Sequence, residues 1–563
     1  MLSLTRDPEI PTDKSPAAVA GETVEQVGAA EPAVPPAPAK PAPPSTARSA
    51  FFVGAGILTS RIVGLIRQRI FAHYFGSSGE GDAFSAAFRI PNFLQNVFGE
   101  GALSASFIPV YAKLLAQDDE KEATRIANAI FGILALVTSV VVLVGVFTTP
   151  YIVTIIAAGF EDERRALAIT LVRILFPGAG ILVLSAWCLG VLNSHHRFFV
   201  SYTAPVAWNA AIIAALLYFG NRVDLASLAA ATAWGSVIGS VLQFAVQLPT
   251  VLRLIHRFRP QITLASVHVQ QVLRSFFPVF MSRGVVQISA FVDAFLASFL
   301  GQGAVVALNY AQSLYTLPVS LFGMSVSAAE LPAMSKTLGT ASVVAETLRR
   351  RLEEGLKRIS FFIVPSAVAF LALGDVIAAV LYQTGKFTRN DSIYVWTILA
   401  GAAVGLLAST MGRLYSSTYY ALQDTRTPLR FAVLRVVLGG VLGYFCSLYL
   451  PGLIGVDPKL GAAGITVASG IAGWVEFVLL RRSLNQRIGR TGLPFAYASK
   501  LWIGALLGAG LGWGVKILVA GWHPIPLAIV VLGVYGTCYF AVGYVFGLPP
   551  ARAIIGRFLR VLR

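Results

Sequence analysis

Charge is what this chain of 563 residues has least of: Asp, Glu, Lys and Arg together make up 13% of it, where a soluble globular chain carries about 25%. That is too little to coat a soluble domain of this length. With hydrophobic residues at 56% and a mean hydropathy of +0.71, most of the chain belongs in lipid. Cysteine is scarce as well. Cys188, Cys446 and Cys538 stand singly inside apolar runs, which excludes a disulfide framework or a zinc site and reads as three small buried hydrophobes. No His or Cys set has metal-ligand spacing, and no Gly-Lys-Thr phosphate loop occurs. No metal and no other cofactor is expected, and no catalytic constellation argues for an enzyme. His195-His196 beside Arg197 reads as a solvated basic turn. Work done by such a chain would draw on an ion gradient, the membrane potential or consumption of the product.

What the chain has in quantity is apolar runs of about 20 residues, each long enough to span a bilayer. About fourteen follow one another: 50–75, 82–108, 127–157 (broken near Pro150), 166–192, 200–220, 225–250, 272–300, 303–330, 357–383, 392–421, 428–450, 461–480, 498–520 and 525–547. Residues 1–48 differ; they are rich in Pro and Ala without apolar periodicity, and read as a disordered tail. The net charge of +17 sits mainly in alternate short loops, so it orients the chain in the membrane and does not argue for nucleic acid. The opposite loops, at Gly76–Gly81, Gly301–Gly303 and Gly521–Pro526, have no Lys or Arg; Arg164, Arg165, Arg222, Lys386, Arg389 and Lys459 are exceptions to the alternation. Both termini then lie in the cytoplasm, which requires an even number of spans.

The chain also resembles itself at an offset of roughly 225 residues. Thr59-Ser60-Arg61-Ile62-Val63 pairs with Met281-Ser282-Arg283-Gly284-Val285, Ile108-Pro109 with Leu331-Pro332, and Leu192-Asn193-Ser194-His195 with Leu422-Gln423-Asp424-Thr425. Six spans separate the copies, so the repeat is parallel, with its axis along the membrane normal. The division expected is a tail at 1–48, a first lobe at 49–258, a second lobe at 259–490, and two additional spans with a basic tail at 491–563.

Charges inside spans are costly, about 2.5–3.5 kcal/mol each on insertion scales, and face a cavity or a partner. The first span carries Arg61, Arg67 and Arg69; the second Asp82, Arg89 and Glu100; the seventh Arg283 and Asp293; the tenth Arg413. On a helical wheel Arg69 falls about 80° from Arg61 and Arg67 about 120° to the other side, so at least two face protein or water. Arginine suits phosphate, because its planar fork donates paired hydrogen bonds and stays charged. A basic cavity for an anionic ligand is one reading. Structural ion pairs, such as Arg67 or Arg89 with Asp82 or Glu100, are the other, and Arg69 and Arg413 lie where snorkelling would serve.

These residues fall in a pattern. Ser60-Arg61-Ile62-Val63-Gly64-Leu65-Ile66-Arg67, Phe75-Gly76, Asp82-Ala83-Phe84, Ala87-Phe88-Arg89-Ile90-Pro91-Asn92, Glu100-Gly101-Ala102 and Phe107-Ile108-Pro109 stand in order over the first two spans. With Tyr310-Ala311, Leu317-Pro318, Leu321-Phe322-Gly323 and Asp424-Thr425-Arg426-Thr427-Pro428, the chain resembles the MurJ/MviN family of lipid II flippases from about Ala50 onward. The resemblance implies an all-α MATE-like fold of the MOP exporter class: two six-helix lobes plus two extra helices in the bacterial inner membrane. It implies alternating-access transfer of lipid II, the undecaprenyl-pyrophosphate-linked peptidoglycan precursor, to the outer leaflet. Another MOP exporter, for a different polyprenyl-linked oligosaccharide or for drugs, is the alternative; a membrane glycosyltransferase would call for catalytic groups beside the outer loops. Partners implied are lipid II, membrane lipid and the cell-wall synthesis proteins. Carried over, Arg61 and Arg67 approach the pyrophosphate and Asp82 matches an acidic position of functional weight; Arg89 and Arg283, the repeat counterpart of Arg61, complete the expected substrate-binding set. Gln68, Gln95, Ser313 and Thr316 depart from charged residues found in other members.

The loop charges fix a test of orientation. Cysteines introduced at Ser78 and Gln302 should react with an impermeant thiol reagent added to intact cells, and one at Ala341 should not. Labelling at position 341 with protection at 78 inverts the topology.

Overall fold

The computed structural model describes residues 46–255, 257–335 and 340–561; the expected tail lies outside the described residues as far as residue 45. Regular structure among the described residues is helical, apart from one isolated bridge between Thr384 and Phe387. Lipid dictates this, because a helix satisfies its backbone groups within one segment. The helices join into fourteen rods. They are α1 (Thr46–Phe75), α2 (79–116), α3 (Glu120–Ile156), α4 (Asp162–Ser194), α5 (Phe198–Phe219), α6 (Leu225–Leu254), α7 (Val267–Ser298), α8 (Ala304–Ser335), α9 (Ala341–Tyr382), α10 (Arg389–Ala421), α11 (Arg426–Ile454), α12 (Gly461–Ile488), α13 (Phe495–Leu518) and α14 (Pro524–Val545). Eleven of them, α3–α6 and α8–α14, are long and apolar enough to cross a membrane among the described residues. The other three, α1, α2 and α7, carry most of the intramembrane charges named above.

The limits differ from the apolar runs in instructive ways. Helix α9 begins sixteen residues before its run because Leu348, Leu352 and Leu356 form a buried stripe at helical spacing. Helix α3 passes through Pro150 unbroken. Proline removes one hydrogen bond, and ending the helix in lipid would expose several more backbone groups. The basic tail beyond the last span is itself helical, as α15 (Pro549–Val561).

The repeat is visible in the packing. α4 lies along α6 as α10 lies along α12; α5 packs on α6 as α11 on α12; α3 on α4 as α9 on α10; α2 on α4 as α8 on α10. Each pairing recurs six rods later, giving two six-helix lobes. Both α2 and α8 widen into π-helical turns, at Gln95–Leu103 and Val319–Met324, ahead of their matched Ile108-Pro109 and Leu331-Pro332. Helices α13 and α14 pack on each other and on α9 around a separate apolar cluster. There Tyr535 and Tyr539 donate to the carbonyls of Pro365 and Phe361, each at 2.6 Å, and Lys516 pairs with Asp375 at 2.6 Å.

The link between the lobes is strapped to the first of them. Asn128 on α3 donates to Arg257 O at 2.8 Å and accepts from Arg259 N at 3.0 Å, while Phe258 packs against Phe131 and Trp187. Glu122 accepts from Ser266, the residue ahead of α7, at 2.7 Å. The basic end of α7 therefore rests on the first lobe. Its far half packs on the second, where Asp293 meets Ser469 at 3.5 Å and Val292 and Leu296 fill space over Gly440 and Gly443.

Hydrophobicity does not hold helices together in lipid; close packing does. Gly405 of α10 and Gly470 of α12 touch through their α-carbons, so a side chain on either meets backbone. Gly405→Val should cost about 1–3 kcal/mol or more through overpacking and lower the thermal unfolding midpoint in detergent by several degrees. Gly510→Ala, which meets nothing within 4 Å, should not lower it. Equal midpoints for Gly405→Val and wild type would refute the close-packed seam.

Candidate functional site

Two of the three arginines of helix α1, Arg61 and Arg69, reach the second lobe, and Arg67 between them stays within the first. Arg61 donates from Nη1 to Ser320 Oγ at 2.7 Å. Ser320 lies in the π-helical turn of α8, so the wide turn carries the second lobe's contact with this arginine. Arg67, about 9 Å further along the helix, sits against the rings of Phe88 on α2 and Trp208 on α5, each centroid 5.3 Å from its guanidinium carbon. The rings stack on one another with centroids 5.5 Å apart. They attract the cation through their faces but offer no acceptor, and Arg67 Nη1 is buried without a hydrogen-bond partner.

That unfilled donor borders a small cavity lined by Arg67, Gln68 and Ser85 of the first lobe and Asn309 of the second, among the walls of Phe84 and Phe88. Ser85 Oγ is likewise buried and unpartnered. An enclosed guanidinium with polar neighbours and apolar walls is suited to an anionic group, since an unpaired buried charge is costly until an acceptor arrives.

Arg69 does something different. Its Nη1 donates to Val380 O at 2.6 Å and Leu381 O at 3.0 Å. These are among the last carbonyls of α9, which have no partner within the helix and carry its negative dipole end. Asp82 is the converse. It is fully buried, and its two oxygens accept from Gly303 N at 2.6 Å and Val306 N at 2.8 Å, the first turn of α8. A first-lobe cation thus caps one second-lobe helix, and a first-lobe anion caps another, at the charge-poor end of the bundle. Arg164 stands 3.8 Å from Asp82, which accounts for one exception to the loop-charge pattern. His73 O accepts from Lys386 N at 2.8 Å, and Gly76 O from Tyr310 Oη at 3.2 Å. Gly303 has to be glycine: its φ is +91°, and an added Cβ would lie 2.7 Å from Ser77 O.

A family model described as lipid II flippase MurJ matches residues 71–533. The chain belongs to the MurJ family. The lipid II flippase MurJ of Burkholderia cenocepacia is 31% identical over 446 residues, covering 78% of this chain and 84% of that protein. A solved structure titled lipid II flippase MurJ, inward closed conformation, superposes with a TM-score of 0.73 at 26% identity, covering 88% of this chain and 98% of that one. An inward-facing MATE multidrug transporter of the MOP superfamily shares the fold, with a TM-score of 0.61 at 17% identity. The expected MOP fold is therefore the observed one, in a multi-pass membrane protein of a transporter family.

Within this MurJ-family chain the expected site residues separate. Arg67 lines the cavity, while Arg61, about two turns away on the same helix, does not and is held by Ser320 of α8. Asp82 lies at the charge-poor end with both oxygens engaged by backbone. Arg89 reaches α7, donating to Ala290 O at 2.8 Å with its Nε buried and unpartnered. The side chains of Arg283 and Glu100 lie outside the described residues. Ser313 and Thr316 turn their hydroxyls to the carbonyls one turn back on α8, Asn309 O and Gln312 O. Sequence reasoning missed Ser320, Asn309, Trp208 and Ser85, which carry no charge to draw attention. It noted Arg164 only as an anomaly, and that anomaly was the signal.

The capping geometry yields a test. Asp82→Ala leaves two buried N–H groups unpaired, at about 1–3 kcal/mol each, and should loosen the charge-poor end. With the three native cysteines replaced by alanine, Ser85→Cys in the cavity should be slow to react with an impermeant thiol reagent from that end. It should react at least severalfold faster when Asp82→Ala is added. An unchanged rate, with both proteins folded, rules out Asp82 as a closure.

Proposed function

We propose that this chain translocates lipid II across the bacterial inner membrane by alternating access, with both termini cytoplasmic. The observation that carries the reading is Arg67: a buried guanidinium, unfilled at Nη1, on a cavity between the lobes, one span face away from Arg61. Family membership supplies the substrate class; the arginines supply the means of holding a diphosphate. The headgroup enters from the basic end. Arg67 takes a phosphate oxygen with its free donor, and Arg61 exchanges Ser320 for a second, because a charge-assisted bond to phosphate is the stronger of the two. The prenyl chain stays in lipid. Closure at the basic end and release of the caps on α8 and α9 then expose the cavity to the other side. Asp82 and Arg69 act in this cycle as closures, and Arg89 fastens α7 to α2. Arg283 is proposed as a second-lobe contact to the diphosphate by its place in the repeat. The alternative of a MATE-like cation or drug exporter is not favoured, since a buried guanidinium on the cavity repels cations.

The experiment is replacement of an essential lipid II flippase by this chain in a depletion strain, with protein levels checked in the same cells. Arg61→Ala and Arg67→Ala should each fail to support growth, and lipid II binding by the purified variants should fall at least tenfold. Arg61→Lys should restore little, as an ammonium cannot reproduce the planar fork. Full growth with Arg61→Ala and Arg67→Ala together would remove the cavity from the mechanism.

A further inference from the structure

The C-terminal helix α15 has no task in the cycle above, and its construction is specific. Helix α14 ends in a left-handed turn: Gly547 has φ +71°, its N–H reaches Tyr544 O at 3.0 Å, and Leu548 N reaches Gly543 O at 2.9 Å. This double closure stops a helix and redirects the chain. Pro549 and Pro550 then open the new helix in its first turn, where no N–H is needed. Leu548 and Ala551 are buried in the cluster around Phe361 and Tyr539. Ala551 also fits over Gly543, whose added Cβ would lie 3.2 Å from it. The first turn of α15 is thereby fixed to the basic end of α14, at the level where that span leaves the bilayer.

Thirteen helical residues reach about 20 Å, too short to cross about 30 Å of hydrocarbon. Their pattern is two-faced. Taking buried Ala551 as zero, register places Ile555, Phe558 and Ile554 within about 60° of it. Arg552, Arg557 and Arg560 fall about 100–180° away. Arg552 and Arg560 are exposed, and on the apolar side Ile554 is 39% exposed and Ile555 half-buried. From Pro524 to Arg563 the chain contains no Asp or Glu. Lys500, which donates to Phe546 O at 3.3 Å at the end of α14, adds to the positive charge. No anion of this segment can answer the arginines.

We infer that α15 lies in the membrane–water interface and binds anionic phospholipid headgroups, with its apolar face in the acyl boundary and its arginines over the phosphates. A short basic amphipathic helix held at the end of a span is built for that surface. The inference is independent of what the central cavity carries.

The test uses the full chain in nanodiscs, with Cys188, Cys446 and Cys538 changed to alanine. An environment-sensitive fluorophore is attached at Ile554→Cys on the apolar face or at Ala553→Cys on the basic face. In phosphatidylglycerol the probe at 554 should be blue-shifted and quenched by bromine-labelled acyl chains, while the probe at 553 stays water-like. In phosphatidylcholine the quenching at 554 should weaken. In phosphatidylglycerol, replacing Arg552, Arg557, Arg560 and Arg563 together by glutamine should bring the quenching down to the phosphatidylcholine level, with the helical content and unfolding midpoint of the protein unchanged. The inference is overturned by equal quenching at 553 and 554, by equal quenching in the two lipids, or by a quadruple variant that behaves like its parent. A probe at 554 shielded only after a protein fraction is added would also overturn it, because the face would then belong to a protein partner.

Discussion

Two helix ends in the second lobe hold this molecule in the state seen. The first N–H groups of α8 and the last carbonyls of α9 emerge side by side at the charge-poor end, and neither set has a partner within its own helix. The first lobe supplies both, with Asp82 to one and Arg69 to the other. The signs follow the helix dipoles, so each contact joins a full charge to a partial one of opposite sign. Because these groups cannot turn to water while buried, the lobes are either joined here or must open enough to admit solvent. An intermediate separation is the costly arrangement, and that makes the interface a two-position device.

The architecture was open to sequence reasoning because it rests on periodic properties. Apolar run length, alternating loop charge and the offset self-similarity each accumulate over hundreds of residues. The capping roles of Asp82 and Arg69 were not legible. Their partners are backbone groups, which have no letter in the sequence, and they lie over two hundred residues away. Ser320 escaped notice for a related reason: a serine becomes an interlobe contact only because a π-helical turn and Arg61 meet there. The connector motif from Asp424 to Pro428 shows a signature with a local cause. Asp424 accepts from the N–H and hydroxyl of Thr427 and pairs with Arg487, which holds its carboxyl down at about 2 and starts α11 firmly. That carboxylate stays charged at any working pH, since a depressed value loses its stabilisation only as pH falls through it.

Charge placement also separates two tasks within a single helix. Arg61, Arg67 and Arg69 lie within nine positions on α1, yet their surroundings differ in what they leave unsatisfied. Arg69 has two carbonyls. Arg61 has one neutral hydroxyl, a weaker acceptor that a phosphate oxygen displaces readily. Arg67 has aromatic faces and an empty donor. Readiness for an anion therefore rises from Arg69 through Arg61 to Arg67, and it is set by neighbours on α2, α5, α8 and α9 more than by the arginines themselves.

In the proposed cycle this ordering decides how a substrate could move the lobes. A ligand shifts a conformational equilibrium only by binding one state better than the other. Filling Arg67 alone would strengthen the first lobe and leave the equilibrium where it was. Taking Arg61 as well releases Ser320, which removes one bond between the lobes and leaves the capped ends of α8 and α9 and the contacts of α7 to join them. The diphosphate then has to recover that loss from the second lobe, and it gains such contacts only if that lobe closes over it. The repeat places Arg283 on α7, a helix fastened to the first lobe at its basic end and packed on the second at the other. A contact there would draw the two halves of α7 toward the substrate, and the strap at Asn128 would pass the motion to the first lobe without slack.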